Sequence, residues 1–227
     1  MNKEFETKLH VWQNEVNTTC NKYAKEINLD FYPFQSSVEF KPDLLIIGAN
    51  PAGDNKYCER VRMTENSGSE KKYNAYIEYE NDPIWKINKP VIKMFSGVNS
   101  RKVLEESVIT NALYFNTPSI REFERLLNGK EIIEYCSEKT SELIYDIVKP
   151  KAVLFLGFAA PKWLKIPFSA KENSILRTDD NRSALIMKAE CNGIPHYIIH
   201  HPSRNYQFNN GINLDKKRSK FEEIFSK

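Results

Sequence analysis

Apolar residues recur at Phe5, Leu9, Trp12, Val16, Cys20, Tyr23 and Ile27, three or four positions apart, and predict one long amphipathic helix at the start of the chain. The first forty residues therefore read as a helical segment that packs its apolar stripe on the rest of the domain. The period then changes. Leu44-Leu45-Ile46-Ile47 is a continuous apolar run that stops at Gly48-Ala49-Asn50-Pro51-Ala52-Gly53, the pattern of a buried strand breaking into a tight turn. From Asp54 to Asp82 the chain is polar and poor in aliphatics, though Tyr57, Tyr73, Tyr76 and Tyr79 punctuate it; this predicts a long surface excursion with room for a short helix.

Helical spacing returns between Trp85 and Phe95, and Val108-Ile109-Thr110-Asn111-Ala112-Leu113 predicts a second strand running into the polar loop Asn116-Thr117-Pro118-Ser119. Ile132, Cys136, Thr140, Leu143 and Ile147 share a helical face that Lys149-Pro150 terminates. Ala152-Val153-Leu154-Phe155-Leu156 is the third strand, ended by Gly157, with a short helix expected from Pro161 to Lys165. Ala184 to Glu190 and Tyr197 to His200 read as strands joined through Cys191-Asn192-Gly193-Ile194, where Asn-Gly signals a hairpin; Leu214 to Phe225 closes the chain as a helix.

Strands alternating with helices predict a single α/β domain over residues 1–227, with a central, mostly parallel four-stranded sheet covered by helices on both faces. In such sheets ligands bind beyond the carboxyl ends of the strands, so the loops after the first, second and last strands are expected to converge.

Composition narrows the classes. With 41% hydrophobic and 28% charged residues, the chain of 227 residues has a globular balance and enough apolar mass for a core. It lacks a run of about 18 apolar residues and an apolar stretch near Met1, which predicts a cytoplasmic protein with no membrane partner. Cys20, Cys58, Cys136 and Cys191 are scattered without a C-x-x-C pair, so four free thiols and no metal or cofactor are expected. The formal charge of +3, from 33 basic and 30 acidic residues, permits a nucleic-acid partner without demanding one. No heptad seam asks for a second copy, so a monomer is expected.

The candidate chemistry sits in the three loops. Gly48-Ala49-Asn50-Pro51 is a rigid turn that lifts one side-chain amide over the strand end. Asn111 offers one acceptor and two donors, the complement of an imide edge such as that of uracil. His200-His201-Pro202-Ser203-Arg204-Asn205 places a histidine at a strand end, followed by a hydroxyl and a guanidinium suited to phosphate. His200 is expected to face the opposite side of its strand from His201 and to be structural, and Lys216-Lys217-Arg218 to form a solvated helix face.

Gly48-Ala49-Asn50-Pro51 resembles the Gly-x-Asn-Pro motif of the single-strand-selective and mismatch-specific branches of the uracil-DNA glycosylase superfamily, and His201-Pro202-Ser203 resembles its His-Pro-Ser motif. Ile109-Thr110-Asn111 and Leu156-Gly157-Phe158-Ala159-Ala160 are similar to two further segments that occur between them in the same order. The resemblance extends over about residues 41–211, with identity confined to these short motifs. It implies a three-layer α/β/α domain and a hydrolase that excises uracil or a related damaged base from DNA in base excision repair, with no metal or cofactor. It implies that Asn50 positions the attacking water and that His201 hydrogen-bonds the departing base. Asn111, Tyr57, Gly48 and Pro51 would form the base pocket, with Tyr57 as aromatic platform. Ser203, Arg204 and Asn205 would grip DNA, and Tyr206 or Phe208 would fill the vacated stack.

Two departures stand beside the likeness: Ala52 separates the motif proline from Gly53, and the carboxylate of other branches is missing at position 50, leaving Asp54 as the nearest acid. The residues read alone also allow Asn50 as a turn-capping amide, Asn111 as a loop tie, and His201 as a histidine bonded to backbone. A catalytically silent member that binds nucleic acid or a nucleotide, and a small-molecule hydrolase, remain as competing functions.

Overall fold

The computed structural model describes residues 2–58, 73–82, 86–204 and 206–226, with the side chain of Tyr206 excepted. Helix α1 (Lys3–Ile27) starts where the Asn2 side chain accepts from Phe5 N at 3.3 Å and stops at Asn28, which takes the left-handed conformation at φ 53°. It buries Phe5, Leu9, Trp12, Val16 and Cys20 as the spacing predicts, together with Ala24, while Tyr23 and Ile27 pack half-buried at the rim. The helical reading of the first forty residues ends at Ile27. Beyond it the chain runs along the second strand: Tyr32 N donates to Tyr114 O, Gln35 N to Ile109 O, and Ser36 Oγ accepts from Ile109 N at 2.7 Å. These bonds cover an edge that would otherwise expose unpaired backbone.

The strands are β1 (Leu45–Gly48), β2 (Val108–Asn111), β3 (Val153–Leu156), β4 (Ser174–Arg177), β5 (Ala184–Cys191) and β6 (Ile194–Ile199). They form one sheet in the order β2-β1-β3-β6-β5-β4. Where four mostly parallel strands were expected, the sheet has six and is mixed. β2, β1, β3 and β6 pair in parallel, β5 returns antiparallel through the Asn192-Gly193 hairpin, and β4 adds to the outside of β5. β4 carries no sequence signal because all four of its residues are half-buried and its register with β5 is irregular, so no alternation marks it.

Side chains alternate between two apolar clusters. Leu45, Ile47, Val153, Phe155 and Ile198 pack with α1 and α6 (Gly129–Glu142); Ile46, Leu154, Leu156 and Ile199 pack with α3 (Asn88–Met94), α4 (Val98–Glu105) and α8 (Gly211–Phe225). The short helices α2 (Ala75–Glu78), α5 (Ile120–Phe123) and α7 (Ala159–Trp163) are the other described α-helices, and a π-helical stretch, Leu143–Val148, carries α6 on to Lys149 with Leu143 and Ile147 buried. α2 is the short helix expected in the excursion, whose residues 59–72 lie outside the described residues, as does Trp85. None of the four cysteines is in a disulfide among the described residues. No described helix is long and apolar enough to cross a membrane.

α4 is absent from the sequence reading for a tertiary reason. Its N-cap, Gly97, has no side chain to satisfy the first N–H groups; Glu222 on α8 does so instead, accepting from Asn99 N at 3.0 Å and Ser100 N at 2.9 Å. A methyl group on Gly97 would meet Glu222 Oε2, which explains the bare cap. These bonds hold the Glu222 carboxyl down at about 2, well under its ordinary 4.5. Its contribution to stability is therefore complete above about pH 4.5 and is lost as pH falls towards 2. Glu222→Gln is expected to lower the melting temperature at pH 7 and to flatten its decline between pH 4.5 and 2; parallel curves for the variant and the parent would refute the cap.

Candidate functional site

The carboxyl ends of β1, β2, β3 and β6 lie side by side, and register fixes what meets there. Gly48 pairs with Asn111, and an added Cβ on Gly48 would stand 2.5 Å from Asn111 Oδ1, so the Asn111 carboxamide leans from β2 over the bare end of β1. Asn111 is 3% exposed and its Nδ2 has no hydrogen-bond partner among the described residues. Asn116, fully buried in the next loop, likewise leaves both amide atoms unpartnered, its Nδ2 3.5 Å from where a Cβ on Gly53 would sit. Buried amides are nearly always paired, so an unpaired one calls for a partner such as a ligand or a water. Asn116 carried no motif and was missed; only its burial, which tertiary packing sets, singles it out.

Pro51 fixes the backbone of the first loop. Leu113 N donates to Ala49 O at 2.9 Å and Thr117 N to Pro51 O at 3.3 Å, so the loop is laced to the one after β2. Asn50 adds two bonds from a single nitrogen, Nδ2 to Thr117 O at 2.7 Å and to Pro51 O at 2.8 Å. Two carbonyl acceptors determine which end of the amide is nitrogen. The half-buried side chain thus presents Oδ1 as an acceptor with no partner among the described residues.

His201 continues β6 and precedes Pro202, which favours extended backbone at position 201. Its ring lies beside Gly157 at the end of β3, where a Cβ would stand 3.5 Å from His201 Cβ. Ser203 N and Ser203 Oγ lie 3.3 and 3.2 Å from His201 Nδ1. A backbone N–H can only donate, so Nδ1 is the acceptor and Nε2 carries the proton. Burial, aided by the nearby Arg204 guanidinium, pulls the imidazole down to about 4, so it is neutral at pH 7. Ser203 thus fixes this tautomer. Arg204 Nη2 donates to Pro118 O at 3.4 Å, one residue from the carbonyl that holds Asn50. The three loops therefore converge, as expected, through Asn50, Thr117, Pro118, Arg204 and His201.

Other candidates fall elsewhere. Tyr57 packs on α1, its hydroxyl 3.5 Å from Asn21 Oδ1 and Lys25 Nζ 5.9 Å from its ring centroid; among the described residues it has no bond to the Asn50 and His201 loops. Phe208 is stacked on His200 at 3.9 Å, on the side of the β6 end away from His201; Asn205 and the Tyr206 side chain lie outside the described residues. Asp54 is exposed. His200 faces away from His201, its Nε2 3.1 Å from Ala184 O. Among the described residues no group of three or more His, Cys, Asp or Glu could hold a metal ion.

Lys217 corrects the expected solvated stretch 216–218. It is fully buried, and its Nζ donates to Phe208 O at 2.7 Å and Asn209 Oδ1 at 2.5 Å; Asn209 Nδ2 in turn donates to His201 O at 3.0 Å. Burial lowers its pKa to about 7. α8 thereby anchors the His201 loop from below, which a run of three cations cannot reveal. If the loop acts catalytically, Lys217→Met is expected to lower kcat by about tenfold with little change in KM, because it blurs the position of His201 rather than removing a contact to substrate; steady-state kinetics with an unchanged kcat would refute this positioning role.

The sequence matches no protein-family model and no curated protein.

Proposed function

We propose that the chain is a DNA glycosylase of the uracil-DNA glycosylase type, hydrolysing the bond between deoxyribose and uracil or a related damaged base, and that its sheet and flanking helices are that superfamily's three-layer domain. The observation that carries the reading is a committed amide and a committed imidazole at the ends of the two strands that flank β3: Asn50 has its Nδ2 engaged and offers Oδ1, while His201 has Nδ1 engaged and offers Nε2–H. In the reaction the C1′–N bond breaks with its electron pair leaving on the base. Water bonded to Asn50 Oδ1 adds its oxygen to C1′, and its proton passes to solvent. The departing base is anionic, so a neutral, preoriented N–H donor matters more than a strong base. Asn111, with its uncommitted Nδ2, would read the imide edge. DNA is the partner, base excision repair in the cytoplasm the setting, and the monomer the working form.

The bonds from Asn50 to Thr117 and Pro51 equally suit a loop tie, and this favours one alternative, a silent member that binds nucleic acid in the same crevice. The test is release of free base from single- and double-stranded oligonucleotides carrying uracil, hypoxanthine or xanthine. Release supports the glycosylase; retained DNA binding with no release from any substrate moves the assignment to the silent module.

A further inference from the structure

His200 and His201 are consecutive, and strand alternation sends their rings to opposite sides of the β6 end. The His200 side opens on a cleft of about 430 Å³ that takes no part in the arrangement around Asn50. Its aromatic wall is Phe158, His200 and Phe208: His200 lies stacked with Phe208 at 3.9 Å and edge-on to Phe158 at 4.9 Å. Its other wall carries Lys171, Arg177 and Arg182, and no carboxylate among the described residues lines it. The wall is built rather than frayed, since Arg177 Nη2 donates to Ala170 O at 2.7 Å and Nη1 to Asn181 O at 3.3 Å. Arg182 stands exposed, 3.7 Å from Asp180, and Lys171 is exposed beside it.

Flat ring faces beside cations are the chemistry that holds a nucleobase and its phosphate without reading sequence. The volume is within the range of sites that take small organic ligands. A base paired within a duplex keeps its faces stacked and has none to offer an aromatic wall. An unpaired one does, and Phe208 belongs to the same loop as His201, so a strand held at one is led to the other. We propose that this cleft is a second subsite, taking an unpaired nucleotide of single-stranded DNA that flanks the residue held at Asn50 and His201, with the base on Phe158 and Phe208 and the phosphate on Lys171 and Arg182. The assignment rests on the proposed nucleic-acid function. It accounts for a feature which that function leaves idle, an aromatic and basic cleft next to the His201 loop.

The experiment is fluorescence anisotropy of labelled oligothymidylates of two and eight nucleotides, with thymidine monophosphate as competitor, on the parent, the double variant Lys171→Ala/Arg182→Ala and Phe158→Leu. Arg177 is left in place because it holds the wall. The expected result is an eight-nucleotide affinity about tenfold lower in each variant, and a loss in the same direction for the dinucleotide, whose second nucleotide is the flanking one. In the double variant the salt dependence should also be shallower, by roughly 0.7 for each phosphate that is no longer neutralised. Equal binding of the eight-nucleotide strand by parent and variants overturns the subsite and leaves the glycosylase reading intact. Thymidine monophosphate competing as well as the longer strand also overturns it, marking a site for a free nucleotide. Absence of any oligonucleotide binding by the parent at low salt overturns both.

Discussion

Replacing Asn50 or His201 with alanine is expected to reduce base release by about 10²-fold or more, with a melting temperature close to that of the parent. Each side chain spends its local bonds on orientation. Asn50→Ala removes the acceptor offered at Oδ1 together with two bonds to loop carbonyls, and His201→Ala removes the Nε2–H donor and the acceptor for Ser203. Neither contributes to the two apolar clusters, so folding should survive. The pH profile gives a second readout. The His201 imidazole is held down at about 4, so the neutral donor persists across neutral pH, and the rate should be flat above about pH 5 and fall as pH drops through 4, when protonation of Nδ1 breaks its bonds from Ser203. A midpoint near the ordinary histidine value of 6.5 would show that His201 is not held in this tautomer, and full activity in either variant would remove that residue from the mechanism.

Gly48→Ala should separate folding from function most sharply. The new Cβ would lie 2.5 Å from Asn111 Oδ1, a separation that van der Waals radii forbid, yet the obstructing atom is the end of a side chain rather than backbone. The carboxamide can swing away at small cost to stability, and in doing so it leaves the position over β1. Base release is expected to fall by about 10- to 10²-fold, chiefly through loss of discrimination by Asn111, with thermal unfolding nearly unchanged. Loss of folding with no soluble protein, or an unaltered rate and base preference, would each refute the placement of Asn111 as the reading residue. Gly157 offers no such clean test: its φ of 105° strains any side chain, so substitution there would disturb the end of β3 directly.

The residues of the site were legible because strand ends and turns leave local marks. An apolar run broken by Gly-Ala-Asn-Pro, or a strand stopped by His-Pro, can be recognised within about ten residues, and parallel strands bring such breaks to one edge of the sheet. Tyr57 and Phe208 leave no such mark, because an aromatic residue in a polar loop looks the same whether it faces a ligand or packs on the protein; only the structure sets Tyr57 beside Lys25 and Asn21 of α1 and Phe208 on His200.

The amino-acid sequence by itself determined the α/β alternation, the faces of α1 and α6, the Asn192-Gly193 hairpin and the convergence of three polar loops, since each follows from periodicity or from the backbone preferences of Gly, Pro and Asn. Only the tertiary structure decided the rest: the six-stranded mixed sheet, the cap that Glu222 lends to α4, the burial of Lys217 beneath the His201 loop, and the tautomer of His201. The first three depend on partners brought together across elements, 122 residues apart for Ser100 and Glu222, and the tautomer on the exact turn that brings Ser203 back to its ring; energies of that kind have no signature in the local pattern of the chain.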